Sequence, residues 1–259
     1  MLRAARTSWA ASFASPMVII GRCAFYMLLM TIITALWGKV AQEQVSGGLA
    51  YLLPAGGLGF YVGVTEIAVL GTPAMHIKLE DDIRSGLLES RLLRPKSHLL
   101  LRFAEGMGGA CARMATLTMC GALLLTLSSF APPTLIWWPA ILLVMLLAAT
   151  VGVQLSLAVG LSVFWLGRVL PPYIVVQKIA FLLGGLMAPV TLYPDWLASL
   201  AMASPFAAQL YWPATFVTAP SPLTFAQTVC WQLIWIALMS LILHWIWARG
   251  VARVLREGL

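Results

Sequence analysis

Charge is what this sequence has least of. Its 259 residues include 16 Lys and Arg and nine Asp and Glu, 10% in all, where a soluble domain carries roughly 25%. That scarcity excludes a water-soluble globule. With 61% hydrophobic residues and a mean hydropathy of +0.92, the chain has more apolar surface than one core could enclose. Cysteine is sparse too. Cys23, Cys111, Cys120 and Cys230 stand far apart within apolar runs, which suggests neither a disulfide framework nor a metal site. No G-x-x-x-x-G-K-[ST] phosphate loop occurs, so ATP hydrolysis is not expected in this chain. No basic stripe with interleaved aromatics suggests nucleic acid. The formal net charge of +7 reads instead as a topology signal and a match to anionic lipid.

What the sequence does have is long runs of Leu, Ile, Met and Ala without period-2 alternation. Only helices or closed barrels satisfy their backbone polar groups in a bilayer, and these runs choose helices. The expected fold class is all-α, a single polytopic domain over residues 1–259. Six spans of the necessary ~20 residues are read at 16–37, 49–72, 99–127, 136–163, 172–188 and 224–248. Basic loops resist translocation. With both termini in the cytoplasm, inner segments hold Arg3, Arg6, Lys78, Arg84, Arg91, Arg94, Lys96, Arg102, Arg168, Lys178, Arg249, Arg253 and Arg256, and outer loops hold only Lys39. The first apolar run continues past Arg22 to Trp37, longer than a cleavable signal, so the first span is expected to stay attached.

Residues 2–14 set Arg3 and Arg6 on one side and Leu2, Trp9 and Phe13 on another, the pattern of a helix lying in the interface. Residues 188–222 are rich in proline and aromatics yet too apolar for a soluble loop. Irregular backbone at membrane depth must be buried in protein or line a cavity, which predicts a re-entrant helical hairpin entering from the outer face.

The segment 79–96, LEDDIRSGLLESRLLRPK, gathers eight of the chain's 25 charged side chains. Glu80 and Arg84 stand four apart in the favourable order for a helix, and Gly86 interrupts it. Ile83, Leu87 and Leu88 supply an apolar side; Glu80, Asp81, Asp82 and Arg84 supply a charged one. A lipid-binding helix would be basic without the acidic triplet. This one suits the groove of a soluble partner.

Ile83, Gly86, Leu92, Leu93, Arg94 and Pro95 in IRSGLLESRLLRPKSHLLL resemble the cytoplasmic loop of ABC-2 type transporter permeases. The outer segment, with Pro189, Tyr193, Pro194, Trp196, Pro205, Phe206 and Pro213, and the closing WARGVAR are similar to that family as well. The branch of drug or viologen exporter permeases looks closest. The resemblance implies a bacterial inner-membrane exporter subunit that moves a hydrophobic or amphipathic compound outward. It also implies that residues 74–95 include a coupling helix seating Glu80, Asp81, Asp82, Ile83, Arg84, Ser85 and Gly86 in a separate ATP-binding subunit. Two permeases would work with two such subunits, which would bind the ATP and Mg.

Ionisable residues inside a membrane usually face the bundle interior and find partners. Counted from the inner ends at ~1.5 Å per residue, Arg22, Glu66 and Glu105 fall at similar depths. That predicts an Arg22–Glu66 pair, with Glu105 beside it, as a clasp under the gate. Arg113 lies deeper and is a candidate contact for an anionic substrate, with snorkelling or a backbone carbonyl partner equally open. Gly59 and Gly63 in the second span, and Gly106, Gly109 and Ala110 in the third, predict close helix packing within the chain. Two other classes compete. Ser162 and His244 could form the dyad of a six-helix intramembrane serine protease, although the glycine expected after Ser162 is missing. An ion-coupled secondary carrier would need inverted repeats and midplane acids, and neither is evident.

Overall fold

The computed structural model describes residues 1–43, 57–86, 98–127, 133–186 and 189–257. Among them every regular element is a helix. In chain order these are α1 (Leu2–Ser12), α2 (Pro16–Glu43), α3 (Gly57–Gly71), α4 (Met75–Arg84) and α5 (His98–Leu127). After a 3-10 turn at Leu135–Trp137 come α6 (Trp138–Leu161), α7 (Val163–Leu166) and α8 (Leu170–Leu183). A second 3-10 turn at Val190–Leu192 leads to α9 (Asp195–Met202), α10 (Pro205–Gln209), α11 (Tyr211–Thr218) and α12 (Pro222–Glu257).

Four stretches are long and apolar enough to cross a bilayer: Pro16–Leu36, Gly57–Arg84, Leu135–Leu166 and Pro222–Val254. Of the other two expected spans, α5 has 30 residues but carries Arg102, Glu105 and Arg113. The 14 residues of α8 reach only ~21 Å, less than the ~30 Å hydrocarbon layer. The outside of the bundle is apolar. On α2, Met17 is 79% exposed and Ile20, Leu28 and Ile32 are similarly open, a face that lipid rather than water accommodates.

Buried apolar side chains form two clusters. One joins Tyr26, Met75, Leu79, Met114, Leu117, Val153, Leu157, Leu161 and Leu210. The other joins Tyr61 and Val62 of α3 and Val144 of α6 to Ala201, Ala207, Tyr211, Ala214 and Phe216. The proline-rich segment is therefore packed into the bundle: α11 rests on α3, and α10 on α6 and α12. Polar cross-ties hold the helices in register. Gln154 Nε2 donates to Ser240 Oγ at 2.8 Å and to the Ile236 carbonyl at 3.2 Å, and Gln232 Nε2 donates to the carbonyls of Val144 and Ala208. Such bonds matter where lipid offers no competing partner.

The glycines act within the chain. A Cβ on Gly59 would stand 2.8 Å from Thr34 Cγ2, and one on Gly63 would stand 3.2 Å from Met30 Cε, so α3 lies close on α2. Gly108 admits α1, whose Ala5 backbone occupies the space a Cβ would need. The N-terminal helix is thus an exposed amphipathic element docked on α5, with Leu2, Trp9 and Phe13 still open.

Candidate functional site

The charged end of the bundle is built around α4. Pro73 ends the run of α3, and α4 restarts two residues later with its first N–H groups unpaired inside its own turn. Ala74 at the N-cap has no side-chain acceptor. Ser156, on α6, supplies one: its Oγ accepts from the Met75 N–H at 3.0 Å and the His76 N–H at 3.2 Å, and donates to the Pro73 carbonyl at 3.3 Å. His76 Nδ1 is 3.1 Å from the same oxygen, and the Tyr173 ring stacks on His76 at 4.1 Å. Gly160 lets the two helices approach, because a Cβ there would stand 2.9 Å from His76 Cα.

In its last turn, α4 is tied to α5. Asp82 is 3% exposed. Arg102 Nε donates to Asp82 Oδ2 and Nη2 to Oδ1, both at 2.6 Å, and His98 Nε2 lies 3.0 Å from Oδ2. Arg102 Nη1 donates to Glu105 Oε2 at 2.5 Å. The Trp247 ring of α12 leans on His98 at 5.8 Å between centroids, so three helices meet at this ionic cluster. A bidentate guanidinium–carboxylate pair fixes direction as well as distance.

The opposite edge of α4 is open. Ile77, Lys78, Asp81, Arg84, Ser85 and Gly86 are exposed, while Glu80 is half-buried and accepts from Arg84 Nη1 at 3.4 Å, the expected pair four residues apart. Gly86 has φ +70°, which an L side chain rarely adopts, and closes the helix. Leu87, Leu88, Leu92, Leu93, Arg94 and Pro95 lie outside the described residues.

These positions revise the residue assignments. Asp82 was expected on the partner-facing side, but its carboxylate points inward, where the Arg102 guanidinium of α5 holds it and His98 lies beside it. Ile83 packs against the core cluster. Ile77 and Lys78, which the sequence reading did not select, share the open edge. Ser156 was also missed; a serine in so apolar a helix, where Thr150 is the only other hydroxyl, is the sequence signal that could have found it.

The expected clasp is rearranged as well. No Arg22–Glu66 ion pair forms among the described residues, and Glu105 is taken by Arg102 one turn away on its own helix. Glu66 is buried and Arg22 half-buried. Arg113 Nη1 donates to the Thr72 carbonyl at 3.5 Å, the backbone partner left open above, while its buried Nε has no partner among the described residues. Thr72 Oγ1 in turn accepts from Gln209 Nε2 of α10 at 3.2 Å.

In the proline-rich segment, Pro189 and Pro194 precede short helical turns, and Tyr193 Oη donates to the Leu182 carbonyl at 2.9 Å. Trp196 is 71% exposed, whereas Pro213 is buried; Pro205 and Phe206 open α10. Ser162 Oγ donates to the Val159 carbonyl at 2.6 Å and makes no hydrogen bond to His244 among the described residues.

An apolar helical bundle with four stretches long enough to cross a bilayer and one clasped, charged helix at its end fits a multi-pass membrane protein. The chain belongs to the ABC-2 family transporter protein family, whose model matches residues 57–258. Members of that family are the membrane part of the transporter and work with ATP-binding-cassette partners; hydrolysis lies in that separate subunit. No curated protein matches the chain.

Proposed function

We propose that this chain is the permease subunit of an ABC exporter in a bacterial inner membrane, moving a hydrophobic or amphipathic compound outward by alternating access. Two copies, or one copy and a related permease, work with two ATP-binding subunits that hold the ATP and Mg. The chain crosses the membrane six times with both ends in the cytoplasm, α1 lies in the interface, and residues 188–222 re-enter from the outer face. The contact between Gln209 and Thr72, the residue just past α3, supports that depth, since α3 runs ~22 Å from Gly57.

The observation that carries this reading is the double attachment of α4. A partner closing on Ile77, Lys78, Asp81, Arg84 and Gly86 pushes a helix held by Ser156 to α6 and by Asp82 to α5. The push therefore moves two spans together instead of bending a loop. Arg113, whose Nε has no partner among the described residues, is the proposed contact for an anionic group on the substrate.

The test uses the chain co-expressed with its ATP-binding subunit. Asp81→Arg combined with Arg84→Glu, or Gly86→Arg alone, should abolish co-purification of the ATPase and ATP-dependent efflux. Survival of both in either variant rejects the α4 assignment.

A further inference from the structure

Helix α8 is a short rod between two bends. Pro171 and Pro172 stand in its first turn, where a missing N–H leaves no helical bond unmade. Its 14 residues follow Gly167 at φ +68° and precede Gly185 at φ +66°, both in the left-handed region that L side chains rarely adopt. No residue of α8 is buried, and Ile174, Val175, Ile179 and Leu182 are open. The rod is stiff along its length and lightly held on its sides.

The two ends are attached differently. Just past the C-terminal end, two side chains of α3 hold the backbone: Tyr61 Oη donates to the Gly185 carbonyl at 2.9 Å and Thr65 Oγ1 to the Leu186 carbonyl at 3.4 Å. Tyr193 Oη adds its bond to the Leu182 carbonyl, so this end is moored to α3 and to the proline-rich segment. Near the N-terminal end the attachment is to α4. Tyr173, about 14 Å along the axis from Leu182, lays its ring on that of His76 with the planes 18° apart. His76 is 5% exposed and is fixed from behind, because its Nδ1 meets Ser156 Oγ and its Cα packs at Gly160. Packed side chains are nearly incompressible and pass strain on. A displacement of His76 toward α8 therefore displaces Tyr173, and with the far end moored the rod swings about the bend at Gly185. Hinge motions are absorbed at a few element-terminal residues in this way.

We propose that Tyr173 is a positioning residue through which movement of α4 tilts α8, carrying the exposed apolar face of α8 with it. This role rests on the reading of α4 as the helix that receives the ATP-binding subunit.

The experiment uses the full chain co-purified with its ATP-binding subunit in neutral detergent. Cys23, Cys111, Cys120 and Cys230 are replaced, and Val175→Cys, at an open position, reports on α8. Its rate of labelling by N-ethylmaleimide is measured without nucleotide and after trapping with ATP and vanadate. The rate should change roughly threefold or more on trapping, as for an element driven between two states. Y173F keeps the stacked ring and should respond as the parent does. Y173A should retain the ATPase, because the open edge of α4 is untouched, and should lose the response; Y173V, a smaller truncation that also removes the ring, serves if Y173A does not fold. A merely structural tyrosine would lower the melting temperature of Y173A and leave the nucleotide response in place. That result overturns the proposal, as does a Y173F variant that behaves like Y173A, or loss of the ATPase from both truncations. Co-purification of the ATPase is scored in every sample. If the parent binds the ATPase and its labelling ignores trapping, the lever fails and the α4 assignment stands; if the charge reversals on α4 leave the ATPase bound, that assignment fails and takes the lever with it.

Discussion

The carboxylate of Asp82 and the guanidinium of Arg102 meet edge to edge through two hydrogen bonds of 2.6 Å each, although twenty residues separate them in the chain. The pair is buried, so its desolvation offsets much of its attraction, and removing one partner is worse than removing both. Asp82→Asn should cost about 3–5 kcal/mol, read as a lowered melting temperature in detergent. Asp82→Asn with Arg102→Gln should cost clearly less than the sum of the single changes in a double-mutant cycle. Additive losses would mean that the two groups do not act as a pair.

Helix α4 begins on a hydroxyl borrowed from α6. Ser156→Ala should cost about 1–2 kcal/mol, the scale of a lost N-cap, and should speed amide hydrogen exchange at Met75 and His76 more than in the rest of α4. Unchanged exchange at those two amides would remove Ser156 from this role.

Two glycines in the spans should answer oppositely to alanine. At Gly160 the new Cβ meets the His76 backbone at 2.9 Å, whereas at Gly21 nothing lies within 4 Å. Gly160→Ala should destabilise by about 1–3 kcal/mol, the usual range for overpacking, and weaken ATPase coupling. Gly21→Ala should be neutral or gain up to about 1 kcal/mol from helix propensity. Thermal melts of both variants, with ATPase assays of the first, check this.

The depth of the proline-rich segment can be measured by cross-linking. In a background with Cys23, Cys111, Cys120 and Cys230 replaced, Thr72→Cys with Gln209→Cys should join through a short bifunctional thiol reagent, since the native side chains touch at 3.2 Å. Trp196→Cys with Thr72→Cys should not, because Trp196 is open at the surface. Equal yields for the two pairs would mean that the segment lies flat on the bundle.

Helices were legible because apolar runs announce themselves, and α4 because a charge run in so apolar a chain must have a reason. Their ends were less so. The last span was read as ending near residue 248, yet α12 runs to Glu257: hydropathy locates the hydrocarbon boundary, while hydrogen bonding continues the helix through Arg249 and Arg253. Counting residues gave Arg22, Glu66 and Glu105 a common depth but not a common direction. Rotation about each axis is fixed by packing, and Arg102, three residues away on the same helix, pairs with Glu105. For the same reason Asp82 could not be told from Glu80 and Asp81. Three adjacent acids look alike in a sequence, and only the side facing α5 distinguishes them.

The oxygen that starts α4 belongs to a residue synthesised eighty positions after His76. The first turn of the segment therefore gains its cap only once the later span has been inserted beside it. A chain halted before Ser156 would hold the residues of α4 without their first anchor, so on the proposed role of α4 the docking surface for a motor subunit is completed late in biogenesis.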